Sequence, residues 1–214
     1  MSQGEFQTYF HQRAGRFSAF YRSEPVSRLL GRGPLFDRLR IAVDMAKTLS
    51  ATRVLDVGCG SGPLFAPLAE AGIHVTGLDP AEAMVALAQQ QAADFPGLIE
   101  VGQRGWEDID EVDAYDMAVA LGVFDYVASP RELLMRMGRA ATHVVGSFPA
   151  PGIRTGLRKV RYGTRGVGVH PYAADGFDGL AAAAGLVVAE MVPLGRAGWV
   201  VRFGRAGSGS RGSA

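Results

Sequence analysis

The spacing of apolar positions changes near residue 50. Before it, Leu35-Phe36-Asp37-Arg38-Leu39-Arg40-Ile41-Ala42-Val43 repeats at helical period. Pro25 and the Gly/Pro-containing stretch 31–34 separate that run from an earlier one, where Tyr9, Phe10, Phe17, Phe20 and Tyr21 alternate with arginines. From Arg53 onward, short buried-type runs alternate with amphipathic ones. The pattern predicts strands over 53–57, 73–78, 98–103, 117–121 and 142–147, with helices over 63–71, 81–93 and 130–140. Such alternation builds an α/β fold in which helices cover both faces of a parallel sheet. A helix over 177–184 and strands over 186–192 and 198–203 follow. The last two strands are joined by a short Pro/Gly turn. A parallel return needs a crossover of about a dozen residues, so the seventh and last strand is expected to run antiparallel.

Length and composition narrow this only modestly. A chain of 214 residues with 48% hydrophobic and 20% charged residues can bury one substantial α/β core. Net charge is +1, which gives no sign of bulk nucleic-acid affinity. The charge is uneven, however: residues 1–150 carry 13 Lys/Arg against 18 Asp/Glu, and 151–214 carry 9 against 3. The basic C-terminal third suits either an anionic substrate or a solvated surface. One cysteine, Cys59, excludes an internal disulfide and a cysteine-based metal site, and no paired His/Asp/Glu spacing suggests another metal. With no apolar leader and no run of 18 apolar residues, a cytoplasmic protein is expected.

The chemistry sits in Val54-Leu55-Asp56-Val57-Gly58-Cys59-Gly60-Ser61-Gly62-Pro63. Glycines after a strand and before a helix let backbone approach a ligand at the C-terminal edge of a sheet. A dinucleotide fingerprint would need glycine at 63; Pro63 stands there instead, a good first-turn residue for a helix. Asp79 ends the next strand, where its carboxylate can accept both ribose hydroxyls of a nucleoside or cap the following helix.

These segments, with VTGLDPAEAMVALA and DMAVALGVFDYV, resemble the class I S-adenosylmethionine-dependent methyltransferases from about Arg53 to Phe203. The resemblance implies a Rossmann-like, seven-stranded, mostly parallel sheet with S-adenosylmethionine as cofactor, a ligand with no pyrophosphate to hold. It implies a cofactor site at Gly58, Cys59 and Gly60, with Asp56 orienting the loop, Asp79 and Pro80 at the ribose and Met84 on the adenine face. Helical spacing alone would place Met84 in the core. The position after the third strand, where many members carry Asp, has Gln103 followed by Arg104, Gly105 and Trp106, so the amide or the indole would meet the base. Leu121 ends the fourth strand beside the cofactor. ALGVFDYV and the aromatic N-terminus further resemble a small-molecule subgroup that includes the magnesium-protoporphyrin methyltransferases.

Methyl transfer is an in-line displacement governed by alignment, so no catalytic triad is needed. Three regions could line the acceptor pocket. One is Tyr9, Phe17 and Tyr21, as part of a helical lid over residues 1–50 or as plain core. The second is Phe124 and Tyr126 beyond the fourth strand. The third is Tyr162 and Tyr172 in a cap segment, 150–175, within a cofactor domain spanning 51–204. His170 is the histidine placed to act as a base, with Tyr126 beside it; His74 and His143 begin strands at the opposite rim. The Gly/Ser/Arg-rich tail 205–214 is expected to be disordered. A small-molecule methyltransferase is therefore anticipated, against a non-catalytic cofactor-binding subunit or an RNA or protein methyltransferase.

Overall fold

The structure, a computed structural model, describes residues 33–152, 156 and 168–205. Its first helix, α1 (Gly33–Thr48), is followed by β1 (Arg53–Val57), α2 (Phe65–Ala69), β2 (His74–Leu78), α3 (Glu82–Ala92), β3 (Ile99–Gly102) and β4 (Tyr115–Ala120). Then come α4 (Pro130–Ala140), β5 (Ala141–Pro149), α5 (Phe177–Ala183), β6 (Leu186–Pro193) and β7 (Gly198–Arg205). Tyr9, Phe17, Tyr21 and Tyr162, with most of the 1–50 extension, much of the cap segment and nearly all of the tail, lie outside the described residues.

The seven strands form one sheet in the order β3-β2-β1-β4-β5-β7-β6. All neighbours are parallel except β7, which is antiparallel to both β5 and β6, as the short connection required. Pro130 at the first turn and Ala140 at the last bound α4 where the pattern placed them. The predicted helix over 63–71 contracts to Phe65–Ala69, because the chain from Gly62 to Leu64 is spent on a turn in which Phe65 N–H donates to Gly62 O. Strand β4 begins at Tyr115 instead of 117, and β5 reaches Pro149 because β7 pairs with it from His143 to Pro149.

Side-chain alternation along β1 divides the core into two layers. On one face Leu55 and Val57 join Phe124, Leu133, Met137, Phe148, Phe177 and Phe203 under α4 and α5. On the other, Val54 joins Val75, Met117, Val119 and Val145 beneath α1 and α2. Helix α1 is part of this second layer, burying Ala42, Val43, Met45 and Ala46. At the rim where strands begin, the Asp116 carboxylate accepts hydrogen bonds from Thr52 N, Thr52 Oγ1 and Arg53 N at 2.7–2.9 Å. Burial works against its charge, but these donors outweigh burial and hold its pKa below the ordinary value.

Phe148 is the hub of the aromatic layer. Its ring stacks on Phe124 at 4.4 Å and meets Tyr172, Phe177 and Phe203 edge-on at 5.0, 5.0 and 6.0 Å. Phe148→Ala should cost about 3–5 kcal/mol of stability, since these neighbours cannot all collapse into the void. Urea unfolding tests this; a loss below about 1 kcal/mol would contradict the hub role.

Candidate functional site

The strand order reverses direction of growth between β1 and β4, and their C-terminal ends open a crevice there. The chain leaving β1 turns through Gly58, Gly60 and Gly62, with φ of +69°, +56° and +78°, a region side chains other than glycine rarely enter. Two hydrogen bonds from Gly58 N and Cys59 N to Leu78 O, at 2.7 and 2.9 Å, tie this loop to the end of β2. A Cβ on Gly58 would lie 2.5 Å from Val123 Cγ2, so the loop also fits closely against the segment after β4. Around Gly60 there is open space.

Asp79 completes the clamp. Its Oδ2 accepts from Gly60 N at 3.0 Å and its Oδ1 from Ala81 N at 2.9 Å. One carboxylate thus fixes both the glycine loop and the entry to α3. Burial pushes its pKa up, and the two N–H donors partly offset that. Each oxygen keeps lone-pair capacity for a further donor such as a sugar hydroxyl.

Asp56 stands directly before the loop; among the described residues, the hydrogen bonds that tie the loop to other elements go to Leu78 and Asp79. The Asp56 carboxyl is buried, and that burial, followed by the charge on Asp79, raises its pKa to about 7. Cys59 is buried as well, with Sγ donating to Gly60 O at 3.7 Å. Burial first, then Asp56 and Asp79, drives the thiol well above its usual range, leaving it protonated and a poor nucleophile.

The remaining residues expected at the cofactor take varied positions. Met84 is buried in the first turn of α3 in a small cluster with Ala81, and Pro80 is half-buried beside them. Gln103 is exposed beyond β3, while Trp106 is half-buried against the aromatic layer. Gly105 is buried and donates its N–H to Asp108 Oδ2 at 3.0 Å. Leu121 is half-buried at the end of β4.

Of the residues expected at the acceptor, the structure brings Phe124, Tyr172 and His170 together. Tyr172 Oη donates to Phe124 O at 3.1 Å, and His170 N donates to Asp125 O at 2.9 Å, zipping the returning segment onto the loop after β4. The Phe124 ring corrects its sequence assignment: it is fully buried on Phe148 and shows no face to a pocket. Its backbone carbonyl does the positioning. Burial, and then Asp125, hold the Tyr172 hydroxyl well above its normal pKa, so it serves as a donor and not as a base. Tyr126 and His170 are half-buried at this edge.

Sequence reasoning missed two residues. Arg38, on α1, reaches the crevice: a Cβ on Gly122 would lie 2.9 Å from its Nη1. Ser147, buried near the end of β5, accepts from Gly122 N at 2.8 Å and holds that turn in place. A hydroxyl in the otherwise apolar run VVGSF was the available signal for Ser147; for Arg38, one of two arginines in an amphipathic helix, there was none.

Because the folded pKa of Asp56 lies above the unfolded 3.8, the folded state binds the extra proton between those values. Its contribution is therefore fully present below pH 3.8 and is lost progressively as pH rises from there through about 7. Asp56→Asn should stabilise the free protein by about 1–3 kcal/mol more near pH 8 than near pH 5. Thermal melts at the two pH values check this; an equal gain at both would refute it.

Residues 55–143 match the family described as "Methyltransferase domain", about two fifths of the chain. The ubiquinone biosynthesis O-methyltransferase of Azorhizobium caulinodans is 34% identical over 93 residues, covering 43% of this chain and 37% of that protein. Its counterpart from Maricaulis maris is 31% identical over 127 residues, covering 58% and 49%. The matched part spans less than half the length of these curated relatives. Among solved structures, magnesium protoporphyrin IX methyltransferase from Synechocystis PCC 6803 with bound SAH superposes with a TM-score of 0.78 at 21% identity, covering 96% of this chain and 100% of the other. The O-methyltransferase of neocarzinostatin biosynthesis, in complex with SAH and 1,4-dihydroxy-2-naphthoic acid, superposes at 0.62 with 21% identity, covering 84% and 61%. Residues 55–143 thus match a methyltransferase domain, and the chain shares the seven-stranded fold of these methyltransferase structures, with a clamped glycine loop at its switch point.

Proposed function

We propose that this chain transfers a methyl group from S-adenosylmethionine to a small-molecule acceptor at the C-terminal edge of its sheet. The observation that carries the reading is the Asp79 clamp: a carboxylate at the tip of β2, bonded to the glycine loop, with acceptor capacity left over beside open space at Gly60. The residues present suit the cofactor. Asp79 would take the ribose hydroxyls. Gly58 and Gly60 would let the methionine portion lie against backbone, and Arg38 at the β4 rim would pair with its carboxylate. Gln103, Gly105, Trp106 and Met84 lie toward the adenine end.

When bound, the cofactor supplies a methyl group on a positively charged sulfur, so alignment carries most of the catalysis. The protein's own part is to hold the acceptor in line and, where the nucleophile is a hydroxyl, to take its proton. His170 is the base we assign, pinned through its backbone to Asp125, with Tyr126 and Tyr172 orienting the acceptor. The part of the 1–50 extension before α1 and the 150–175 segment, carrying Tyr9, Phe17, Tyr21 and Tyr162, would cover the acceptor and exclude water. Relatives named for ubiquinone biosynthesis and structures named for protoporphyrin and naphthoic acid support a small, ring-bearing acceptor. No described helix is long and apolar enough to cross a membrane; we place the enzyme in the cytoplasm.

Asp79→Ala should weaken S-adenosylhomocysteine binding roughly 10–100-fold, on the scale of about 1.5–3 kcal/mol for a charge-assisted hydrogen bond. An unchanged dissociation constant by calorimetry would remove the ribose assignment. Arg38→Ala should weaken the same ligand about 10-fold while leaving 5′-methylthioadenosine, which lacks the amino-acid portion, unaffected. Equal losses for both ligands would show that Arg38 acts on the fold and not on the carboxylate.

A further inference from the structure

Three polar or charged residues are buried among those described, and Ser147 is the one hydroxyl. A hydroxyl taken out of water is costly unless it is bonded. Along β5 it alternates in step with Val145, and across the sheet it pairs with Val200; both belong to the core layer beneath α1. Its side chain therefore stands on the α1 face of the sheet, at the crevice end of β5. There Oγ reaches across to the chain leaving β4 and accepts from Gly122 N at 2.8 Å. Gly122 has φ of +83°, and the Arg38 guanidinium stands where its side chain would begin. Nη1, Nη2 and Cζ lie 2.9, 3.1 and 3.3 Å from the place of a Cβ, so any side chain at 122 would push against them. The next residue, Val123, sits 2.5 Å from where a Cβ on Gly58 would be. One hydrogen bond thus fixes a turn that touches the arginine on one side and the glycine loop on the other.

We propose that Ser147 and Gly122 are positioning residues for Arg38: the hydroxyl fixes the turn, the missing side chain leaves room for the guanidinium, and together they set how tightly the amino-acid end of the cofactor is held. The inference rests on the reading of this crevice as the S-adenosylmethionine site, with Arg38 as the partner of the cofactor's carboxylate. It adds what makes that arginine effective. A guanidinium–carboxylate pair depends on angle as well as distance, so a turn that drifts weakens it. In that reading the adenosine half is held by other residues, so the effect of the two falls on the amino-acid end.

Calorimetric titration of the full chain with S-adenosylhomocysteine and with 5′-methylthioadenosine separates the two halves, because only the first ligand has an amino-acid end. Ser147→Ala should weaken S-adenosylhomocysteine roughly 5–10-fold and leave 5′-methylthioadenosine within about 2-fold of wild type. Gly122→Ala should do the same, since its methyl group displaces the guanidinium. In an Arg38→Ala background, neither substitution should weaken S-adenosylhomocysteine further. Equal losses for both ligands, no loss for either, or a full additional loss on top of Arg38→Ala overturns the proposal. Should these variants fail to fold, hydrogen exchange at the Gly122 amide of the wild-type protein decides. Saturation with S-adenosylhomocysteine should slow that exchange about 10-fold more than saturation with 5′-methylthioadenosine, and equal protection overturns the proposal. If Arg38→Ala separates the two ligands and Ser147→Ala does not, the assignment of the cleft stands and this inference falls. Wild-type protein that binds neither ligand overturns both.

Discussion

The hydrogen bonds that Asp79 accepts from Gly60 and Ala81 sit where three parts of the molecule meet. The glycine loop after β1 has a left-handed path with no regular structure of its own. It is defined from outside, by the Leu78 carbonyl below and the Asp79 carboxylate beside it. Since β1 and β2 are locked in register over five pairs, the sheet transmits its geometry directly to this loop. A buried carboxylate is costly unless hydrogen-bonded, and here that cost is borne at the place where a ligand could also use it. The second acid nearby, Asp56, has no such donors among the described residues, and its burial raises its pKa. Unequal solvation of two neighbouring carboxyl groups is what makes this rim chemically distinct from the rest of the sheet.

Much of the fold could be read from the chain because its local signals agree. The run from Val54 to Val57 is apolar enough to be buried on both faces except at Asp56, and glycines end it abruptly. Pro130 and the periodic leucines and methionines mark α4 to the residue. The antiparallel β7 followed from the shortness of the turn before it. The strand ends were read less well. Tyr115 and Asp116 belong to β4 because Asp116 anchors the start of β1, a contact between residues 63–64 positions apart that no local pattern carries.

The site was legible wherever backbone geometry demands particular residue types, as with Gly58, Gly60 and Asp79. It was illegible where function depends on which way a side chain points. Phe124 looked like a pocket wall because it follows the fourth strand, but its ring turns inward onto Phe148. Arg38 looked like one more charged residue on a helix until the helix was seen to cross the rim at Gly122. The raised pKa of Asp56 depends on burial and on a carboxylate 23 positions along the chain, and neither is visible from its place in the motif.

The reversal of β7 determines where the chain emerges. Strand β7 starts beside Pro149 at the rim that carries the crevice and runs back past His143 to the opposite rim. There Arg205 bonds to the Gly138 carbonyl at the end of α4 and pairs with Asp113, fastening the strand's end to the base of the sheet. Whatever follows Arg205 therefore sets out a full strand length away from the cofactor loop. For protein engineering, this makes the region after Arg205 the natural place to join a reporter or an immobilising anchor, since cargo attached there starts out clear of the cleft.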